Sequence, residues 1–168
     1  MRHFAILLLM TAGPVSAAES VLWETVGDWD IKISHEDASR CFASRTMDDG
    51  SEVQIGTEPS LDGGYFAIYN AEWTHIEEGK EGSVEFDFGV SRFGGDAVGK
   101  IENGVPGGYA FFNNPNFVQE FARRQTVNVI GSQGAEFELD LTGTSRAIRG
   151  VLACQDDQPL PEADNQDP

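Results

Sequence analysis

RCFASRTMDDGSEVQIG, Arg40–Gly56, decides the fold. Alternation begins at Cys41, Asp48-Asp49-Gly50 supplies turn chemistry, and Val53 and Ile55 recur two residues apart on the far side. A period of two on both flanks of a glycine-bearing turn is the pattern of an antiparallel hairpin. The stretch predicts two neighbouring strands with one apolar face.

Upstream, Trp29, Ile31 and Ile33 alternate with Asp30, Lys32 and Ser34, which predicts a half-buried strand. Downstream, GYFAIYNAEW is rich in aromatic and branched residues and reads as a central strand. In SVEFDFGVSRF, Val84, Phe86, Phe88 and Val90 are expected on one face. GGDAVGKIENGVPGGYAFFN is expected to hold one or two short strands, and TVNVIGSQGAEFELDLTG a second hairpin turning near Ser132.

Two helices interrupt this pattern. Asn114 and Pro115 suit a helix start over about 115–124, with Phe117, Val118 and Phe121 as the buried stripe. The second runs over about 145–154 with Thr144 as its expected cap; Ala147, Ile148, Val151 and Cys154 share its apolar side. The expected fold is therefore mainly β: an antiparallel β-sandwich or barrel-like sheet of about eight strands with two short helices. Cys41 and Cys154, the two cysteines of the chain, are expected to form one disulfide, as an even pair does in an oxidising compartment.

MRHFAILLLMTAGPVSAAES has a positive start, an apolar stretch too short to span a bilayer and a small-residue end. It reads as a signal peptide over 1–17, cut after Ala17 or Ala18. A single domain over 18–154 follows, then an acidic tail over 155–168 expected to be disordered. Export to the periplasm, or otherwise secretion, is the expected destination. Eleven Lys+Arg against 28 Asp+Glu give a net charge of −17, which argues against nucleic acid and anionic membranes as partners. No membrane span is expected. An envelope protein or small ligand remains as partner, and the domain is expected to be a monomer.

Residues that announce chemistry are sparse. Gly94, Gly99 and Lys100 match phosphate-loop spacing, but Ile101 stands where Ser or Thr must hold magnesium. His35 and His75 lie in charged loops without zinc-ligand spacing. In IGSQG, the serine directly follows Gly131, which breaks the nucleophile-elbow pattern. Asp48-Asp49-Gly50 allows at most a loose calcium site. Trp23, Trp29 and Trp73 read as core, with a sugar or lipid pocket as the alternative. Arg123, Arg124, Arg146 and Arg149 oppose the overall charge and form a candidate anion-binding patch, against the simpler role of complementing helix ends and neighbouring acids. No catalytic residue, metal or cofactor is expected.

Trp29, Cys41-Phe42-Ala43, and the closing Leu139, Leu141, Gly143, Ala147, Leu152 and Cys154 resemble the invasion-associated locus B family of small exported proteobacterial proteins. The resemblance implies a periplasmic or surface-associated protein without a recognised active site, and it transfers no functional residue. The expected function is that of a non-catalytic binding or accessory domain. The alternative is a hydrolase built on loop carboxylates, for which two facing acids in an enclosed pocket would be the sign.

Overall fold

The computed structural model describes residues 20–34, 39–61, 63–132 and 136–159. The expected signal peptide, His35, the tip of the last hairpin and the end of the acidic tail lie outside them. The described chain builds one antiparallel sheet. Its strands are β1 (Val21–Val26), β2 (Trp29–Ser34), β3 (Arg40–Thr46), β4 (Glu52–Glu58), β5 (Gly63–Tyr69), β6 (Glu81–Asp87), β7 (Arg92–Glu102), β8 (Val105–Phe112), β9 (Thr126–Gly131) and β10 (Glu136–Asp140). The helices are α1 (Pro115–Arg123) and α2 (Thr144–Asp156).

Strand order is β1-β2-β3-β4-β5-β8-β7-β6-β9-β10, a ten-stranded sheet that is not closed into a barrel. The opening hairpin forms as expected: Ala43 faces Ile55 and Arg45 faces Val53 across the ladder. The sheet curls around the helices, so that Arg45 on β3 reaches the Asp140 carboxylate on β10 at 3.6 Å. Trp29 likewise donates from Nε1 to the Thr142 carbonyl at 3.2 Å.

Ten strands replace the expected eight. Val21–Val26 is a separate edge strand, and the glycine-rich stretch is two long strands rather than short ones. Asn103 and Gly104, with φ of 50° and 82°, make the two-residue turn between β7 and β8. Strand β6 stops at Asp87, so Val90 sits exposed in the following turn rather than beside Phe86.

Helices α1 and α2 cover one face. Val118, Phe117 and Phe121 meet Phe66, Phe86 and Phe112; the Phe86 ring centroid lies 4.9 Å from Phe66 and 5.2 Å from Phe117. Burying each such ring contributes on the order of 2–3 kcal/mol. Helix α2 starts one residue earlier than expected, with left-handed Gly143 at its cap position. Thr144 is inside the helix, and its hydroxyl lies 2.7 Å from both the Leu141 and the Phe121 carbonyl oxygens, with its one proton shared between them. That hydroxyl ties the two helices together.

Cys41 and Cys154 form the expected disulfide, fully buried, across 113 residues of sequence. The helix also outruns its expected end. Gln155 and Asp156 are helical, and the Gln155 side-chain carbonyl accepts from the Cys41 N–H at 2.9 Å and the Thr57 hydroxyl at 2.7 Å. The expected tail boundary at 155 is therefore too early.

The opposite face carries a second, smaller layer of Phe42, Tyr65, Ala67 and Tyr69. Arg40 and Glu58 pair inside it at 3.0 Å, each side chain 6% exposed. Arg40 also lies over the Tyr65 ring, 4.8 Å from its centroid. Burial pushes the Tyr65 phenol far above its ordinary range, so it stays neutral.

Candidate functional site

Topology creates a concavity. Strands β5 and β6 follow one another in sequence, yet β8 and β7 stand between them in the sheet. The chain must therefore cross about 14 Å, three strand spacings, to begin β6. Residues 70–80 make that crossing on the helix-bearing face. Helix α1 lies on the same face in the other long connection, between β8 and β9. The sheet under residues 70–80 is thus left with a roof but no helix.

The roof is held at both ends. Asn70, buried, donates from its side chain to Ser51 Oγ at 2.9 Å, and its backbone N–H reaches the Pro106 carbonyl at 3.0 Å. At the other end, Gly79 and Lys80 pair with both backbone groups of Gly99 at 2.8 Å. Glu78 accepts from the Ile101 N–H. Gly99 lies directly beneath: a Cβ there would stand 2.1 Å from the Glu77 carbonyl oxygen, so only glycine allows the roof to settle on β7.

Between roof and sheet is a pocket of about 200 Å³. Phe66, Ile68 and Val84 line its floor beside the phenylalanine core; Phe137 closes one wall, and Trp73 and Ile76 come from the roof. Gly108 also lines it, and a Cβ at Gly108 would meet nothing within 4 Å. The lining is mostly apolar. Polar residues border it at the rim: His75, Glu77 and Lys80 of the roof and Ser132, all exposed, while the Glu81 side chain points with Val98 to the other face of the sheet. The Lys80 ammonium lies 3.8 Å from the Glu77 carboxylate. Such a space takes up an apolar group.

Of the residues singled out from sequence, Trp73, His75, Gly99 and Ser132 line the pocket, though none in the role considered for catalysis or phosphate binding, and the others fall elsewhere. Trp29 is buried core and Trp23 lies on the exposed edge strand, but Trp73 does line a pocket. Gly94, Gly99 and Lys100 lie within strand β7, so their spacing builds no phosphate loop. Among the described residues, no three His, Cys, Asp or Glu side chains are grouped to hold a metal. The Asp49 carboxylate accepts from the Ser51 N–H at 2.9 Å in its own turn. Arg124 donates twice to Glu120, at 3.1 and 3.0 Å, and Arg123 lies 3.5 Å from the same carboxylate. Arg149 donates to Ser145 at 3.0 Å, and Arg146 approaches Gly27 in the β1–β2 turn.

Inspection of residue types missed the pocket because its floor is marked by glycines, which read as loop. Their recurrence on one side of neighbouring strands was the available signal: Gly99 pairs with Gly108 across β7 and β8.

The same architecture is known from a solved protein. The fold is that of an invasion-associated protein. The crystal structure of invasion associated protein B from Bartonella henselae matches over 81% of this chain and 98% of that one, with a TM-score of 0.55 and 14% sequence identity. No protein-family model and no curated protein matches the chain.

Proposed function

We propose that this protein is an exported bacterial accessory domain that acts by binding, with the pocket beneath residues 70–80 as its ligand site. The observation that carries this is an apolar concavity of about 200 Å³ roofed by a pinned crossover and floored by glycines. A hydrophobic core would ordinarily fill such a space. The buried disulfide and the leader-like first residues support export, with the periplasm as the destination. The fold shared with invasion associated protein B supports an accessory role in a bacterium. A hydrolase would need a buried acid in the pocket wall, and the carboxylate its roof supplies, Glu77, is exposed beside Lys80.

An uncharged naphthyl probe tests the site. Its fluorescence should rise on binding the purified protein and fail to rise with Gly108→Leu, whose side chain fills the pocket. The melting temperature should hold or increase, since glycine replacement in a strand with room for a Cβ is stabilising. No probe binding by the wild-type protein, or equal binding by the variant, overturns the assignment. Intact mass after expression in a bacterial host should show cleavage after Ala17 or Ala18.

A further inference from the structure

We infer that the pocket selects its ligand by length: it takes an uncharged apolar body of about eight carbons and leaves any polar head at the rim. This rests on the pocket being a ligand site, and adds which molecules it takes. The room comes from small residues set side by side. Gly82 stands opposite Ala97, and Gly99 opposite Gly108, on three neighbouring strands. The strands turn Ile68, Val84, Ala97, Ala110 and Val129 into the space, with no polar side chain among them. A charge carried inside would meet no group to compensate its lost hydration, so the enclosed part of a ligand is uncharged. The core side is shut: the Phe66 ring packs against Phe86 and Phe121, with centroids 4.9 and 5.9 Å away. A ligand therefore enters from the rim and stops at this wall.

The donors at the rim do not choose the head group. His75 and Ser132 are exposed and Trp73 is half-buried. A head group there exchanges hydrogen bonds to water for hydrogen bonds to protein, with little net gain. Length decides instead. A dry cavity of about 150 Å³ binds benzene, or about 25 Å³ for each carbon, so about 200 Å³ serves about eight. The remainder of a longer chain stays in water and adds nothing.

Straight-chain primary alcohols from butanol to dodecanol test this, by amide NMR titration of the purified protein. Affinity should climb about fourfold per methylene, the equivalent of about 0.8 kcal/mol, up to about eight carbons and then level off. Gly108→Val adds three carbons where a Cβ meets nothing within 4 Å, and should bring the levelling point down to about five. Gly108→Ala should lower it by about one, and carries the test if the valine variant does not fold. Affinity that climbs through dodecanol, stays flat across the series, or levels at the same length in wild type and variants overturns selection by length. So does the absence of binding by every alcohol. In each case the uncharged naphthyl probe shows separately whether the ligand site stands.

Discussion

Arg40 and Glu58 sit at the ends of β3 and β4 on the face without helices, each almost fully removed from water. Tyr109 donates its hydroxyl to the same Glu58 oxygen at 3.3 Å. Removing one partner of a pair this buried leaves the other's charge in the interior without compensation. Arg40→Ala should therefore lower the unfolding free energy by about 3–5 kcal/mol in urea titrations. Replacing the pair with Met and Leu should cost much less, since desolvation then disappears along with the attraction. A loss below about 1 kcal/mol for Arg40→Ala would refute this. Glu120 behaves differently. Burial alone would raise its carboxyl, but hydrogen bonds from Arg124 and Ser91 and the two guanidinium charges outweigh that and hold it below the ordinary range. A lowered folded value means the contribution is complete above the unfolded carboxylate pKa of about 4.3 and is lost as pH falls through the folded one. Thermal stability should hold from pH 7 to 5 and decline below about pH 4, and Glu120→Gln should make that decline shallower.

Among the elements, α2 carries the most consequence per residue. It packs on β1 to β4, is bonded to α1 through Thr144, and is bridged to β3 by the disulfide. Its stripe was legible because Ala147, Ile148, Val151 and Cys154 repeat at helical spacing, and all four are buried. Gln155 was not legible. A polar residue before a run of acids reads as solvated, and only the fold shows that it completes the hydrogen bonding of Cys41 and Thr57. Deleting residues 160–168 should leave the melting temperature almost unchanged. Deletion from 155 should lower it by about 5–10 °C, given about 1 kcal/mol for each of the lost hydrogen bonds. Strand β7 failed for the opposite reason: its glycines predicted turns. In the fold, a Cβ at Gly95 would stand 2.8 Å from the Phe112 ring, so glycine is there to admit the core. The hairpin of β3 and β4 needed no such knowledge, because its alternation and its turn agree.

At the scale of the whole molecule, local pairing and overall charge oppose each other. Arg40, Arg45, Arg92 and Arg124 all have acidic partners, yet 28 acids face 11 basic residues. The surplus repels itself most strongly at low ionic strength, where the Debye length exceeds the spacing of the charges. The exposed pairs that salt weakens are worth about 0–1 kcal/mol each. The melting temperature should therefore rise as sodium chloride is added from about 10 to 500 mM, a range over which screening shortens severalfold. A fall would mean that paired charges outweigh the surplus. The class of fold and its helices were legible because each rests on a short-range pattern, and the disulfide because the chain has two cysteines to pair. The pocket was not, since it follows from strand order, and nothing local to residues 70–80 shows that β8 and β7 lie between the strands they join.

The long span between the two cysteines has a bearing on maturation. Synthesis presents Cys41 early, and 113 positions pass before Cys154 follows. Until then the first thiol has no partner in its own chain. Closure of the bond therefore reports a complete chain: a copy cut short before its closing helix keeps an open sulfhydryl, and mixed-disulfide capture would distinguish it from a finished one.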